Sequence, residues 1–332
     1  MNLNKKIELA VWSIKIIKSD TIFPKRANAF DLTYPTLQCT DVTDVEAEFV
    51  ADPFLVAYGS TYYVFFEVLN KQSERGEIAV AVSTDGEEWH YERVVLKENF
   101  HLSYPYIFAH ENDYYMLPES SDAGGVFLYR ATQFPYSWEK GKQLLSGPYV
   151  DPTLFYYNEK WWIFVGSKDG RNLYLFYSNR IDGEWVGHTQ NPIIRNDLHI
   201  SRPAGRVFSH DGEIYRFTQD GVPSYGKMVK AARIKKLNET EYEEEIIEPC
   251  MLTGSELEGS WRKDGMHHID HLQMKDNKWL IAVDGHFMKE QNYLIWKIKR
   301  FINRPFYSSY KLSRTIIRSM RRIRLFISHK VK

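Results

Sequence analysis

The chain has 332 residues, 43% of them hydrophobic and 15% aromatic, with 43 basic and 43 acidic side chains, which is ample for a large buried core. Its two cysteines, Cys39 and Cys250, are too few for a disulfide framework and lack metal-ligand spacing, and no stretch of roughly 18 uncharged apolar residues marks a membrane span. From Trp296 onward there are twelve Lys and Arg and no acid, which leaves 31 basic against 43 acidic residues in the body, so the body argues against nucleic-acid binding and the tail calls for an anionic partner of its own.

At the N-terminus a basic start, Lys5-Lys6, is followed by an apolar stretch that Glu8 interrupts, with no small-residue cleavage site after it. Together with the two thiols, this gives a cytoplasmic placement as the expectation. Residues 7–17 are rich in β-branched side chains and read as a strand, one able to complete the last unit of a closed ring. A loop with Pro24, Asn28 and Pro35 leads into the body.

There a single unit recurs. A proline follows a polar side chain at Asp52-Pro53, Tyr104-Pro105, Asp151-Pro152 and Arg202-Pro203. Each pair opens a short apolar run, then a polar turn (Gly59-Ser60, Glu111-Asn112-Asp113, Asn158-Glu159, Asp211-Gly212), then a second, aromatic run. This is one β-hairpin written four times. A looser fifth copy has His267-His268-Ile269-Asp270-His271 in the leading position and Trp279-Leu280-Ile281 as the return. The aromatic position steps from Tyr63 to Tyr115, Trp162, Tyr215 and Trp279, at intervals of 52, 47, 53 and 64 residues. A period near 50 with several strands per repeat predicts an all-β chain folded as a five-bladed β-propeller over residues 1–300, with the N-terminal strand closing the last blade. Trp89, Trp138 and Trp185, in step with the hairpins, are expected to pack between blades.

After Pro305, Leu312, Ile316, Met320, Ile323 and Ile327 fall on one helical face and Lys311, Arg314, Arg318, Arg321 and Arg322 on the other. Residues 301–332 therefore read as a short basic amphipathic helix that lies on an anionic membrane through Lys311–Lys332. The expected location is the cytoplasm, peripheral at the inner face of a membrane.

In a propeller the innermost strands start at the rim of the central axis, so equivalent residues converge on one pocket. That predicts one ring from Asp52, Tyr104, Asp151, Arg202, and His268 or Asp270, and a second from Glu67, Glu119, Gly166, Asp220 and Asp284 at the ends of the returning strands. Such a cluster costs stability, since unpaired buried charges are expensive. A divalent cation in the axis is compatible with it, and no other cofactor is implied. On a strand His268 and Asp270 would share one face and His267 and His271 the other, which does not read as a transition-metal site.

Ala51-Asp52-Pro53-Phe54, Leu102-Ser103-Tyr104-Pro105-Tyr106, Leu117-Pro118-Glu119, Val150-Asp151, Arg202-Pro203, Gln219-Asp220, Tyr225-Gly226 and His267-His268-Ile269-Asp270 together carry a resemblance. From about Glu48 to Gly285 the chain resembles the N-terminal domain of plant glucosamine inositol phosphorylceramide transferases and its bacterial relatives, a domain similar to the five-bladed propellers of family 43 glycoside hydrolases. The likeness implies a general base at Asp52 and an orienting, pKa-tuning carboxylate at Asp151. The hydrolases' acid, a Glu on the fourth blade, is replaced by Arg202, which cannot donate a proton at neutral pH. The expectation is a carbohydrate-active protein of glycan or glycolipid synthesis acting by glycosyl transfer or hydrolysis on a phosphate-, nucleotide- or lipid-linked sugar. Asp52 would be base or nucleophile, Glu119 the acid, Asp151 the positioning group and Arg202 an anion clamp, with Glu67, Tyr104, Gln219, Asp220, Tyr225, His268 and Asp270 binding substrate. The alternatives are a non-catalytic glycan-binding propeller that recruits a partner glycosyltransferase, and a membrane scaffold whose axial cluster only organises the blades.

Overall fold

The sequence repeats fold as separate antiparallel sheets in a computed structural model that describes residues 5–22 and 30–303. Residues 10–70 and 74–288 form one compact unit, and the described part of a second consists of residues 5–9, 71–73 and 289–303.

The larger unit is a five-bladed β-propeller. Blade one is the sheet β2 (Ala47–Tyr58), β3 (Thr61–Asn70), β4 (Arg75–Ser83) and β5 (His90–Leu96). Blade two is β6 (Ser103–His110), β7 (Asp113–Glu119), β8 (Gly125–Gln133) and β9 (Ser137–Ser146), and blade three is β10 (Tyr149–Tyr157), β11 (Lys160–Ser167), β12 (Leu173–Ser178) and β13 (Val186–Gly187). In blade four the inner edge is split between β14 (Arg202–Pro203) and β15 (Phe208–His210), both paired with β16 (Glu213–Asp220), followed by β17 (Met228–Leu237) and β18 (Tyr242–Thr253). Blade five is three-stranded, in the order β1 (Lys6–Ser19), β20 (Trp279–Asn292), β19 (Ile269–Gln273), so that it joins the two ends of the described chain.

The turns take the chemistry that tight hairpins demand. Asn158 and Glu159 both have positive φ (48° and 60°), as do Asp211 and Gly212 (50° and 79°), the signature of two-residue turns whose twist matches that of the strands. Between blades, side chains interlock. Trp138 and Trp185 pack on a core shared by blades one to three, and Trp89 packs on a second core. Each of the three indoles also donates its N–H to a carbonyl of its own loop, those of Pro135, Ile181 and Gly86.

The smaller unit carries α1 (Tyr293–Asn303), which begins inside the span that the sequence assigns to the propeller. Its Ile295 and Ile298 are 50% and 49% exposed, and Arg300 lies over the Trp296 ring, 4.3 Å from its centroid. Among the described residues no helix is long and apolar enough to cross a membrane. The amphipathic segment Lys311–Lys332 lies outside the described residues, as do Pro24 and Asn28.

Candidate functional site

Asp52, Tyr104 and Asp151 have φ of 54°, 46° and 51°. At each, the register with the returning strand skips: between Ala51 and Phe54, Ser103 and Tyr106, and Val150 and Thr153. The repeated X-Pro pair is thus a β-bulge. Proline has no N–H for the ladder, and it disfavours the ordinary helical region for the residue before it. The bulge re-aims that residue's side chain out of the sheet and into the axis. Arg202 reaches the same place without a positive φ. In the returning strands Glu67 stands opposite Ala51 and Glu119 opposite Ser103, each one step from a bulge, and Gln219 stands directly opposite Arg202.

Two polar subclusters result. The first joins blades two to four. Arg202 donates from Nε to Asp151 Oδ2 and from Nη2 to Asp151 Oδ1 at 3.4 Å, and its Nη2 faces Glu119 Oε2 at 3.8 Å. Gln219 donates to Asp151 Oδ2 at 3.4 Å and to the Pro203 carbonyl at 2.9 Å, while its own Oε1 is buried with no hydrogen-bond partner among the described residues. Burial pushes the Glu119 carboxyl up to about 7; neighbouring Asp151 adds to this and the Arg202 charge opposes it. The Tyr225 ring covers the guanidinium, 4.9 Å from its centroid. Gly226 lets Tyr225 sit there: its φ is 72°, and a Cβ would lie 2.5 Å from the Trp12 indole. Arg202, Gln219 and Tyr225 line a hollow of about 200 Å3 with Lys168 and Leu198 at its rim.

The second subcluster joins blades one, two and five. Asp52 accepts the Tyr104 backbone N–H at Oδ2 (3.1 Å), and its Oδ1 faces His267 Nε2 at 3.6 Å and His268 Nδ1 at 3.9 Å. Behind it, Asp284 accepts four donors: the backbone N–H groups of Asp52, His267 and His268, and Nδ1 of His267 at 2.7 Å. Burial works against a charged His267, but the Asp284 carboxylate outweighs it and raises the imidazole's pKa. Burial raises the Asp52 carboxyl well above the usual range, against the pull of His267. His268 is driven the other way, down to about 3, by burial.

Asp52, His267 and Asp284 bring one ligand atom each within 4.8 Å of one another. Asp284 accepts four hydrogen bonds, and His267, whose pKa is raised, turns Nε2 toward Asp52 Oδ1, so the group reads as a charge-balanced histidine–carboxylate cluster. Such a cluster is balanced by its own proton, and it does not supply the roughly six to eight oxygen ligands that a calcium ion takes.

The remaining expected residues divide. Tyr104 is fully buried, with its hydroxyl 2.8 Å from Thr153 Oγ1. Glu67 is paired with His101 at 3.2 Å, a residue outside the repeat pattern. Burial lowers the His101 pKa, but the Glu67 hydrogen bond and charge overcome this and lift it to about 9. Asp220 is held by Lys230 (2.8 Å) and His199 (3.0 Å). Asp270 is tied to Arg206 at 3.0 Å and accepts the Leu55 N–H. Arg206 also bonds the Ile107 carbonyl, so this pair stitches blades one, two, four and five within the axis. Gly205 lets the chain pass: its φ is 141°, and a Cβ would fall 1.8 Å from the Ile269 carbonyl oxygen. Of the partners that sequence reasoning passed over, His101 and Arg206 lie off the X-Pro register that carried the signal.

A family model described as glucosamine inositolphosphorylceramide transferase 1, N-terminal, matches residues 9–286. The Oryza sativa subsp. japonica protein named glucosamine inositolphosphorylceramide transferase 1 is 36% identical over 269 residues, covering 78% of this chain and 36% of the relative. Its Arabidopsis thaliana counterpart is 33% identical over 284 residues, covering 82% and 37%. The chain thus spans little more than a third of the length of these relatives. Among solved structures, the Bombyx mori GH32 β-fructofuranosidase superposes with a TM-score of 0.52 at 14% identity, over 70% of this chain and 54% of that one. The Bacteroides ovatus xyloglucan PUL GH43B gives 0.52 at 16% identity, over 72% and 52%. These likenesses show the fold, and the sequence match shows the kinship: the chain belongs to the family of the glucosamine inositolphosphorylceramide transferase 1 N-terminal region.

Proposed function

We propose that the axial pocket binds a sugar linked through phosphate and transfers or hydrolyses it. The observation that carries this reading is Arg202: its guanidinium bridges Asp151 and Glu119, lies under Tyr225 and lines the adjoining hollow. A leaving phosphate needs charge neutralisation, which an arginine supplies, where a sugar alcohol needs a proton. Asp52 lies in the neighbouring subcluster and serves as base or nucleophile, with His267 at its Oδ1 holding the compensating charge. Glu119, held near 7, supplies or takes a proton at neutral pH, and Asp151 fixes the guanidinium. The free Oε1 of Gln219 accepts from a ligand hydroxyl. The relatives carry a glycosyl-transfer name that belongs to proteins more than twice as long, so their acceptor and sugar do not carry over to this chain.

The test is thermal stabilisation of the protein by free sugars, sugar phosphates, nucleotide sugars and nucleotides, repeated on Arg202→Ala, followed by a turnover assay with the ligand found. Stabilisation by a phosphorylated sugar that vanishes in the variant supports the reading, and stabilisation by neutral glycans alone, equal in both proteins, rejects it. The engagement of Asp151 by both Arg202 and Gln219 favours a second reading, a glycan-binding propeller that presents its ligand to a transferase. Binding without turnover, retained in Asp52→Asn, distinguishes it.

We further propose that α1 and the basic segment after it rest on an anionic membrane at its cytoplasmic face. Exposed Ile295 and Ile298 beside Lys297 and Arg300, with no acid from Trp296 onward, support this. Co-sedimentation with phosphatidylglycerol-containing vesicles, set against phosphatidylcholine alone, tests it. Binding equal for both lipids, or unchanged in the Ile295→Ser/Ile298→Ser protein, rejects it.

A further inference from the structure

The inner strands carry the axial site at their first residues and reach the other side of the propeller at their last. Tyr156 follows Asp151 by five residues on β10, and His110 follows Tyr104 by six on β6, so at the strand rise of about 3.3 Å they lie roughly 17 and 20 Å along their strands from Asp151 and Tyr104. On that far side a hollow of about 400 Å3 opens between His110 and the Arg180–Asp182 turn, and a second of about 260 Å3 adjoins it toward the axis. The Trp161 side chain lines both.

Three features define what this double hollow accepts. It has aromatic walls: Tyr156 is 57% exposed with its ring 5.0 Å from that of Trp161, and His110 meets the same indole edge-on at 5.2 Å. Its ionic groups are paired with one another. Arg180 grips Asp182 through two hydrogen bonds of 3.0 Å, and His110 faces Glu111 at 3.8 Å. The larger hollow falls within the roughly 300–1,000 Å3 range of small-molecule sites. A phosphate or nucleotide in the larger hollow would meet two carboxylates, Glu111 and Asp182, with Arg180 alone against them. The smaller hollow is largely apolar, but an acyl chain entering the larger one would bury the Glu111, Arg180 and Asp182 side chains against hydrocarbon. A neutral sugar ring has what remains: an apolar C–H face for the indole, and hydroxyls that both donate to a carboxylate and accept from a guanidinium.

We propose that this far-side cleft is a second carbohydrate-binding site, which takes a neutral oligosaccharide by stacking one ring on Trp161 and holding its hydroxyls on the Arg180–Asp182 pair. It stands independently of the axial site and of the reaction assigned there.

The experiment uses the full chain and a panel of neutral tetra- to hexasaccharides (xylo-, gluco-, manno-, galacto- and arabino-), with binding read by saturation-transfer NMR and calorimetry. Four proteins are compared: wild type, Arg202→Ala, Trp161→Phe, and Tyr156→Ala/Arg180→Ala. The last alters only side chains that reach the surface, so its fold is retained and its melting temperature reports that. The expected result is that at least one oligosaccharide binds wild type and Arg202→Ala alike, binds Tyr156→Ala/Arg180→Ala at least tenfold more weakly, and retains most of its affinity for Trp161→Phe. The proposal is overturned if no oligosaccharide of the panel binds at millimolar concentration, or if binding is lost in Arg202→Ala and kept in Tyr156→Ala/Arg180→Ala. Loss of sugar-phosphate binding in Arg202→Ala bears on the axial reading alone, so the two can fail separately.

Discussion

Arg202 on blade four donates its Nε hydrogen to Asp151 on blade three, so the two residues form a buried ion pair across a blade boundary, with Glu119 of blade two within 3.8 Å of the same guanidinium. The arginine is the counter-charge for two carboxylates that are otherwise desolvated. Removing one member of such a pair leaves an uncompensated buried charge, which typically costs about 3–5 kcal/mol. Arg202→Ala is therefore expected to lose about 3 kcal/mol in urea unfolding at neutral pH, and Arg202→Ala/Asp151→Asn to recover most of it. Additive losses in the double variant would show that the pair is not coupled.

Glu119 gives the site a pH signature. Its folded pKa of about 7 lies above its unfolded value of 4.5, so the folded state holds the proton longer. Stability is unaffected below about pH 4.5, falls as pH rises from there to about 7, and is flat beyond. At about 1.4 kcal/mol per pKa unit, the Glu119→Gln protein gains on the order of 3 kcal/mol over wild type across that window. Unfolding free energies of both proteins from pH 4 to pH 8 check this, and a constant difference over the range contradicts it.

His101 behaves in the opposite sense. Its pKa is raised to about 9 by Glu67, so its contribution is complete below about 6.5 and is lost between 6.5 and 9. His101→Gln should lower the melting temperature at pH 6 and leave it nearly unchanged at pH 10. An NMR titration should place the wild-type imidazole near 9 and move it well down in Glu67→Gln, where burial is opposed by the charges of Glu119 and Asp122 alone.

At position 52 the backbone and the carboxylate are separable. Asp52 sits at φ 54°, a region that Asp and Asn tolerate and that costs other L-residues roughly 1–2 kcal/mol. Asp52→Asn keeps that conformation and an acceptor for the Tyr104 N–H, whereas Asp52→Ala keeps neither. Asn at this position should thus cost at least 1 kcal/mol less than Ala while abolishing any turnover. Equal stability of the two variants would contradict the account.

The architecture was legible because a propeller repeats its hairpin, and each copy carries the same physical marker, a proline just after the axial residue. That marker led to Asp52, Tyr104 and Asp151, and the structure shows the device behind it, a bulge at which the register skips at all three. Position along the axis was less legible. Asp270 and Asp220 occupy their repeat positions, but Arg206 and Lys230 bind them, and nothing in the spacing of an arginine three residues past a proline, or a lysine on the neighbouring strand, announces either pairing. The double hollow at Trp161 escaped for a related reason: its walls come from three blades, away from the X-Pro positions that the repeat marks.

The strand β1 lies beside β20, so blade five is assembled from residues nearly the whole chain apart. This makes the propeller a late-closing ring. Four blades can form as the chain is made, each from contiguous sequence, while the fifth waits for residues 279–292 to meet a strand synthesised before the other four blades. Until then β20 presents a bare edge, and non-local closure of this kind is the slow step in folding β-rich chains. Asp284, whose carboxylate anchors the backbone of Asp52, arrives on that same last strand. The axial pocket is therefore completed only at the moment the ring shuts, which couples possession of a formed site to having finished folding.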